Sequence, residues 1–315
     1  MPRILEAVRR VAAADPAAGW AAAIHAPAGA FLSRLDPATA AGLAGPRPVI
    51  AGSSLPAGST EPHHHGVRLT GRWPLVTGAP AMTLAALAAP VHGPDGVAAT
   101  RWWLVPRSRL TIEEDWDALG LRGSASFTVA CETDVPLAHS ICLTQAPRLQ
   151  TPLFRYPLYG LMAGCIAAVA QATAERAQAA FTRLAAHTRP RHTAGALAEQ
   201  PAAQAAFARA DGRLRATTAL LDSATQAAWN SALTGQVPDA ERALLRSACC
   251  QMAEAAEHVC RELFDAAGTA ALHRSGGLEG CWRDAVTISR HALVARRGCQ
   301  LAGAYELTGV SAKDL

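Results

Sequence analysis

The chain has 315 residues, 50% of them hydrophobic, with only 5% aromatic, 17% charged and a formal net charge of +4. High apolar content with low charge excludes a disordered chain. The scarcity of aromatics argues against an all-β protein, whose strands favour aromatic and β-branched side chains. The weak positive charge is spread along the chain. Its one dense basic run, Arg189-Pro190-Arg191-His192, has no interleaved aromatics and reads as a solvated loop, so no nucleic-acid partner is expected.

Residues 1–45 are alanine-rich and helical in pattern, interrupted at Pro16, Pro27 and Pro37. The texture changes over 46–147, where Pro and Gly are concentrated and Trp73, Trp102, Trp103 and Trp116 occur. Val67 and Leu69, then Trp73-Pro74-Leu75-Val76, predict a hairpin around Gly71. Met82 to Val91 and Arg101 to Val105 read as buried strands, and Phe127, Val129 and Cys131 as a half-buried one. His63-His64-His65 lies in an extended loop where side chains alternate in direction, so it is not assigned a metal.

From 148 to 315 the period becomes helical. Leu158, Leu161, Met162, Cys165, Ile166, Val169 and Thr173 form one stripe. Phe207, Ala210, Leu214, Thr217, Leu221, Ala224 and Ala228 form a second, and Leu245, Ala248, Met252, Ala255, Val259 and Leu263 a third. Ala285, Ile288, Ala292 and Cys299 make a weaker fourth, with His291 on the last helix. Breaks fall at Thr188-Arg189-Pro190, Gly235 to Asp239 and Gly276-Gly277. The fold class expected is α+β, mostly α: a short helical start, a small β-barrel-like domain and a C-terminal four-helix bundle. Small residues on the seams predict a homo-oligomer, a dimer or tetramer.

The 8 cysteines contain no CxxC pair and several sit on apolar faces, which predicts reduced thiols and a cytoplasmic location. Charge interrupts the first ten residues before a leader can form. The longest apolar stretch, Tyr159 to Ala174, is too short to span a bilayer, so no membrane is expected. Dinucleotide, P-loop, nucleophile-elbow and zinc-protease motifs do not occur.

Several strings occur in a telling order: Gly71-Arg72-Trp73-Pro74-Leu75-Val76-Thr77-Gly78, then Trp116-Asp117-Ala118-Leu119-Gly120-Leu121-Arg122-Gly123-Ser124-Ala125-Ser126, then Asp134-Val135-Pro136, then Trp282-Arg283-Asp284-Ala285 followed by His291. Together they resemble the acyl-CoA dehydrogenase superfamily. They are most similar to its two-component flavin-dependent monooxygenase branch, the type of the p-hydroxyphenylacetate hydroxylase oxygenase and dibenzothiophene monooxygenase. The N-terminal helical domain looks shortened, and Leu278-Glu279-Gly280 has a glycine where the family carries an arginine.

That resemblance implies reduced FMN or FAD supplied by a separate flavin reductase, and a C4a-hydroperoxyflavin oxidising a small organic molecule. It implies His25 and His291 as catalytic residues. It implies Thr77 and Gly78 against the flavin ring, Ser53 as another hydroxyl of that wall, and Arg122 and Ser124 in a loop beside it. A dehydrogenase of the superfamily would need a glutamate where this chain has Ala292, and a methyl group cannot take a proton. Dehydrogenation with an atypical base, or a non-catalytic subunit, are the alternatives. Trp73 and Trp116 are expected in the core, Arg283 and Asp284 as an ion pair joining helices, and Glu279 as a turn residue.

Overall fold

The computed structural model describes residues 1–92, 98–191 and 193–312. His192 of the basic run lies outside them. In chain order the elements are α1 (Pro2–Ala14), α2 (Pro16–His25), α3 (Gly29–Leu32), α4 (Pro37–Ala44), β1 (Ile50–Ser53), β2 (Gly58–His63), β3 (Gly66–Val76), β4 (Leu84–His92), β5 (Ala98–Pro106), β6 (Thr111–Glu113), β7 (Phe127–Pro136), β8 (Ser140–Ile141), α5 (Pro152–Arg155), α6 (Leu158–His187), α7 (Pro201–Thr234), α8 (Asp239–Ala267), α9 (Leu278–Ser289) and α10 (Arg296–Thr308). Pro16 and Pro37, which interrupt the N-terminal pattern, open α2 and α4, because a first-turn proline forfeits no intrahelical bond, while Pro27 lies in a 3-10 turn between α2 and α3. At α4 the Asp36 carboxylate also accepts from the N–H groups of Ala38 and Thr39.

The chain divides into two compact units: Met1–Ala23, Ala118–Leu121 and Arg155–Leu315 in one, Ile24–Asp117 and Arg122–Phe154 in the other.

The second unit holds two four-stranded sheets, ordered β1-β4-β5-β8 and β2-β3-β7-β6. Only β1 and β4 are parallel among the strand pairs of the described residues. The inner faces close on Leu69, Trp73, Leu87, Trp103 and Val129, each fully buried. The buried Trp73 ring keeps its polar edge satisfied: Nε1–H donates to the Ala88 carbonyl at 2.7 Å. On the outer face of the first sheet, Leu84, Ala86, Ala88, Trp102 and Leu104 meet Phe31, Leu35 and Ile50. Both faces of β4 are thereby covered, which is why its sequence runs apolar without alternation.

The hairpin turn falls at His64 and His65, not at Gly71. His63 pairs with Gly66, and His64 has φ 45°. Gly71 lies mid-strand opposite Gly58.

The first unit is built on α6, α7 and α8, of 30, 34 and 29 residues. Leu245, Ala248, Met252, Ala255, Val259 and Leu263 are all buried, as their three-and-four spacing predicts. Alanine on these seams lets backbones approach closely. Helix α6 is long and apolar enough by composition to cross a membrane, but 78% of its apolar window is buried inside the protein, as befits a core helix. The fourth stripe differs from expectation. Helix α9 stops at Ser289, so His291 lies in the following turn and Ala292 is exposed there. Glu279 stands in the first turn of α9 rather than in a loop.

Candidate active site

In the β unit, strand β3 loses register with β7 between Trp73 and Val76, where Leu75 takes φ 63°. The chain then turns through Thr77 and Gly78. Gly78 has φ 67°, a conformation glycine adopts without penalty. A Cβ placed on it would stand 2.6 Å from Cε1 of His25. The bare glycine lets the imidazole lie against the backbone.

His25 is half-buried at the C-terminal end of α2. Its Nε2 lies 3.1 Å from the Thr77 carbonyl oxygen. A carbonyl only accepts, so Nε2 carries the proton and Nδ1 is left as an acceptor. Burial lowers the pKa of His25, partly offset by that hydrogen bond, which keeps the ring neutral at neutral pH.

Thr77 also anchors a chain of buried hydroxyls. Its Oγ1 is 2.9 Å from Ser126 Oγ, which is 2.8 Å from Ser124 Oγ. Either atom of each pair can donate, so the chain can present a donor or an acceptor at its ends. The Gly78 N–H donates to the Ser124 carbonyl at 3.0 Å, tying the end of β3 to the 122–124 loop. The structure thus brings together His25, Thr77, Gly78 and Ser124, and adds Ser126, which closes the Trp116 string but has no role assigned from sequence. Its signal was local: a serine two residues beyond Ser124, just before a strand.

Two other expected residues stand apart from this cluster. Ser53, 7% exposed, ends β1 and has no hydrogen bond to the cluster among the described residues. Arg122 is largely exposed and pairs with Asp117 at 3.4 Å. Trp73 is in the core as expected, and Trp116 is half-buried.

In the helical unit, His291 packs edge-on against Trp20, ring centroids 5.4 Å apart and planes at 72°. The N–H of Leu293 donates to His291 Nδ1 at 3.2 Å. Nδ1 is therefore unprotonated, and neutral His291 carries its proton on Nε2. Burial, with the Arg246 charge nearby, pushes its pKa down to about 4. Both histidines are the Nε2–H tautomer, but His25 uses its N–H on Thr77 and leaves Nδ1 as an acceptor, whereas His291 has Nδ1 engaged and leaves Nε2–H as a donor.

Arg283 and Asp284 do not pair with each other. Arg283 binds Glu279 at 2.6 Å and donates to the Leu119 carbonyl at 3.0 Å. Asp284 accepts from the Leu121 N–H at 2.7 Å. Gly120 makes this grip possible, since a Cβ there would collide with the Arg283 carbonyl. Adjacent helical residues point apart, so each side chain holds a different part of the 118–121 segment. Glu279, locked to Arg283, is not placed as a free base.

A groove of about 680 Å³ between α7 and α8 is lined by Arg209, Arg213, His258 and Glu262 among others, and by none of the residues expected from sequence. Among the described residues no cluster of His, Cys, Asp or Glu could hold a metal ion. His63 instead lies 3.3 Å from Asp134.

Comparison with known proteins gives this arrangement a context. Residues 164–296 match the family model for the acyl-CoA dehydrogenase C-terminal domain. The fold superposes on XiaF from Streptomyces sp., solved in complex with FADH2 and glycerol, with a TM-score of 0.90 and 25% identity, covering 98% of this chain and 81% of that one. The fold is acyl-CoA dehydrogenase-like.

In sequence, the chain is 29% identical over 304 residues to an indole-3-acetate monooxygenase of Pseudomonas putida, spanning 95% of this chain and 78% of that protein. It is 27% identical over 270 residues to the oxygenase component of an FADH(2)-dependent resorcinol hydroxylase of Rhizobium sp., spanning 78% of this chain and 65% of that protein. Relatives of the chain thus lie in the flavin monooxygenase branch.

Proposed function

We propose that the chain is the oxygenase component of a two-component flavin-dependent monooxygenase. It takes reduced FMN or FAD from a separate reductase and inserts one oxygen atom into a small aromatic molecule. The observation that carries this reading is the buried Thr77–Ser126–Ser124 hydroxyl chain beside Gly78 and His25.

These residues fit a flavin ring. The hydroxyl chain beside Gly78 can meet either a nitrogen lone pair or an N–H. Such reversible polarity suits a ring whose N5 accepts when oxidised and donates when reduced. Thr77, Gly78 and Ser124 would hold the ring, with Ser53 and Arg122 as further contacts. When bound, reduced flavin supplies the electrons that activate oxygen.

The protein's own residues orient and protect. In the β unit, His25 offers Nδ1 as an acceptor for a substrate hydroxyl or ring N–H; in the helical unit, His291 keeps Nε2–H as a donor. Both rings stay neutral at working pH, so neither introduces a charge that draws water in. Positioned donors and acceptors in a dry site act more strongly than in water.

Dehydrogenation is disfavoured by the exposed Ala292 in the base's slot and by the Glu279–Arg283 lock. The names of the sequence relatives support aromatic substrates. Alanine-rich bundle faces support a homo-oligomer, and the free thiols support a cytoplasmic setting.

The test is to mix the protein anaerobically with reduced FMN or FAD, add air with indole-3-acetate or resorcinol, and follow products by chromatography. A hydroxylated product that needs both protein and reduced flavin is expected. Tightly held oxidised FAD bleached by an acyl-CoA, with no hydroxylated product, would overturn the reading.

A further inference from the structure

Helix α8 carries an arginine with an unusual setting. Arg242 and Arg261 on the same helix hold carboxylates at 2.9 and 2.8 Å. Arg246, only 2% exposed, is held by carbonyl oxygens among the described residues. Its Nη1 donates to Leu293 O at 2.9 Å and, at a longer 3.5 Å, to Tyr159 O, and its Nε is buried without a partner. Burying a guanidinium without a carboxylate is costly, so the interaction it does make is informative.

That interaction is with the turn bearing His291. The backbone of Leu293 is engaged at both ends: its C=O accepts from Arg246, and its N–H donates to His291 Nδ1. The N–H groups of Val294 and Ala295 close back onto the His291 carbonyl at 2.9 Å each. Gly298 in the first turn of α10 gives Arg246 and Cys250 room, because a Cβ there would collide with Cys250 Sγ.

We propose that Arg246 is a positioning residue for His291. By fixing the Leu293 backbone it holds a hydrogen-bond donor against Nδ1, and so keeps the proton of the neutral ring on Nε2. The inference rests on the reading of His291 as a donor to substrate, but its consequence for the ring is visible without turnover. Cys250 of α8 approaches the same turn, its Sγ 4.0 Å from Leu293 O and 3.6 Å from Ala295 O, with Cys299 of α10 beside it; Arg290 flanks the turn in sequence. Glu257 is engaged with Ser289 and Arg290.

The experiment uses the full chain with ¹⁵N-labelled histidine and long-range ¹H–¹⁵N correlation spectra, His291 being assigned with His291→Gln. The parent protein is expected to show the Nε2–H tautomer of His291 alone, with the ring staying neutral to about pH 4. Arg246→Met is expected to give a mixture of tautomers and a higher His291 pKa, while Arg246→Lys, which keeps a cationic donor, restores the single tautomer. Arg246→Gln, which removes the charge in a smaller step, decides the matter if the Met variant does not fold, and mixed tautomers are expected there too. A folded Met or Gln variant whose His291 spectrum matches the parent overturns the proposal. If the tautomers shift as expected but the parent never hydroxylates indole-3-acetate, the functional reading falls and the positioning role stands.

Discussion

His25 Nε2 donates to the carbonyl of Thr77 across 3.1 Å, joining the end of a helix to the end of a strand 52 residues away. The bond spends the ring's only proton and aims Nδ1 elsewhere. His25→Ala should leave the fold intact and lower kcat/KM for hydroxylation about 10²-fold, the usual cost of one positioned polar group in a dry site. Steady-state assays with saturating reduced FMN measure this. Unchanged kcat/KM would remove His25 from the site.

At Gly78 a single methyl meets both a backbone and a packing penalty. Gly78→Ala forces a left-handed residue and drives Cβ into the His25 ring. The expected cost is about 2–3 kcal/mol from strain and displacement together. Urea unfolding measures it, and anaerobic titration with reduced FMN should show weakened binding even where the variant is folded.

Asp284 tests the grip on the 118–121 segment. Asp284→Ala strands the Leu121 N–H, at about 1–3 kcal/mol for a lost buried acceptor. Asp284→Asn retains a carbonyl acceptor and sheds a charge whose pKa burial raises, so it should recover most of the stability. Melting curves of the two variants check the order; equal losses would mean the charge matters more than the acceptor.

Acid should expose His291. Its folded pKa of about 4 lies below that of the unfolded chain, so the unfolded state binds more protons between the two values. Stability therefore falls as pH drops from about 6.5 towards 4, and His25 contributes in the same direction. His291→Gln should flatten that part of a melting-temperature profile; an unaltered slope would count against a neutral His291.

How much of this the sequence disclosed depended on whether local pattern or distant contact decides the outcome. The α8 stripe from Leu245 to Leu263 was legible because a core helix writes its buried face at a fixed spacing. Thr77, Gly78, His25 and Ser124 were reachable through the family-like strings. The break after Ser289 was not: Arg290 to Ala295 contains no proline or glycine, and the turn is held from outside by Arg246. The hairpin at His64 was hidden because histidine is a weak turn signal, while Gly71 drew the turn to mid-strand. Arg283 and Asp284 read as a pair because they are neighbours in sequence, although a helix turns neighbours apart.

In the proposed reaction one atom of molecular oxygen enters an aromatic substrate. Full-length protein, reduced FMN and indole-3-acetate under ¹⁸O₂, analysed by mass spectrometry, tests it most directly. The account predicts a product heavier by one ¹⁸O atom, absent when protein is omitted. A product whose oxygen comes from water, or no oxygenated product with any flavin, would contradict it.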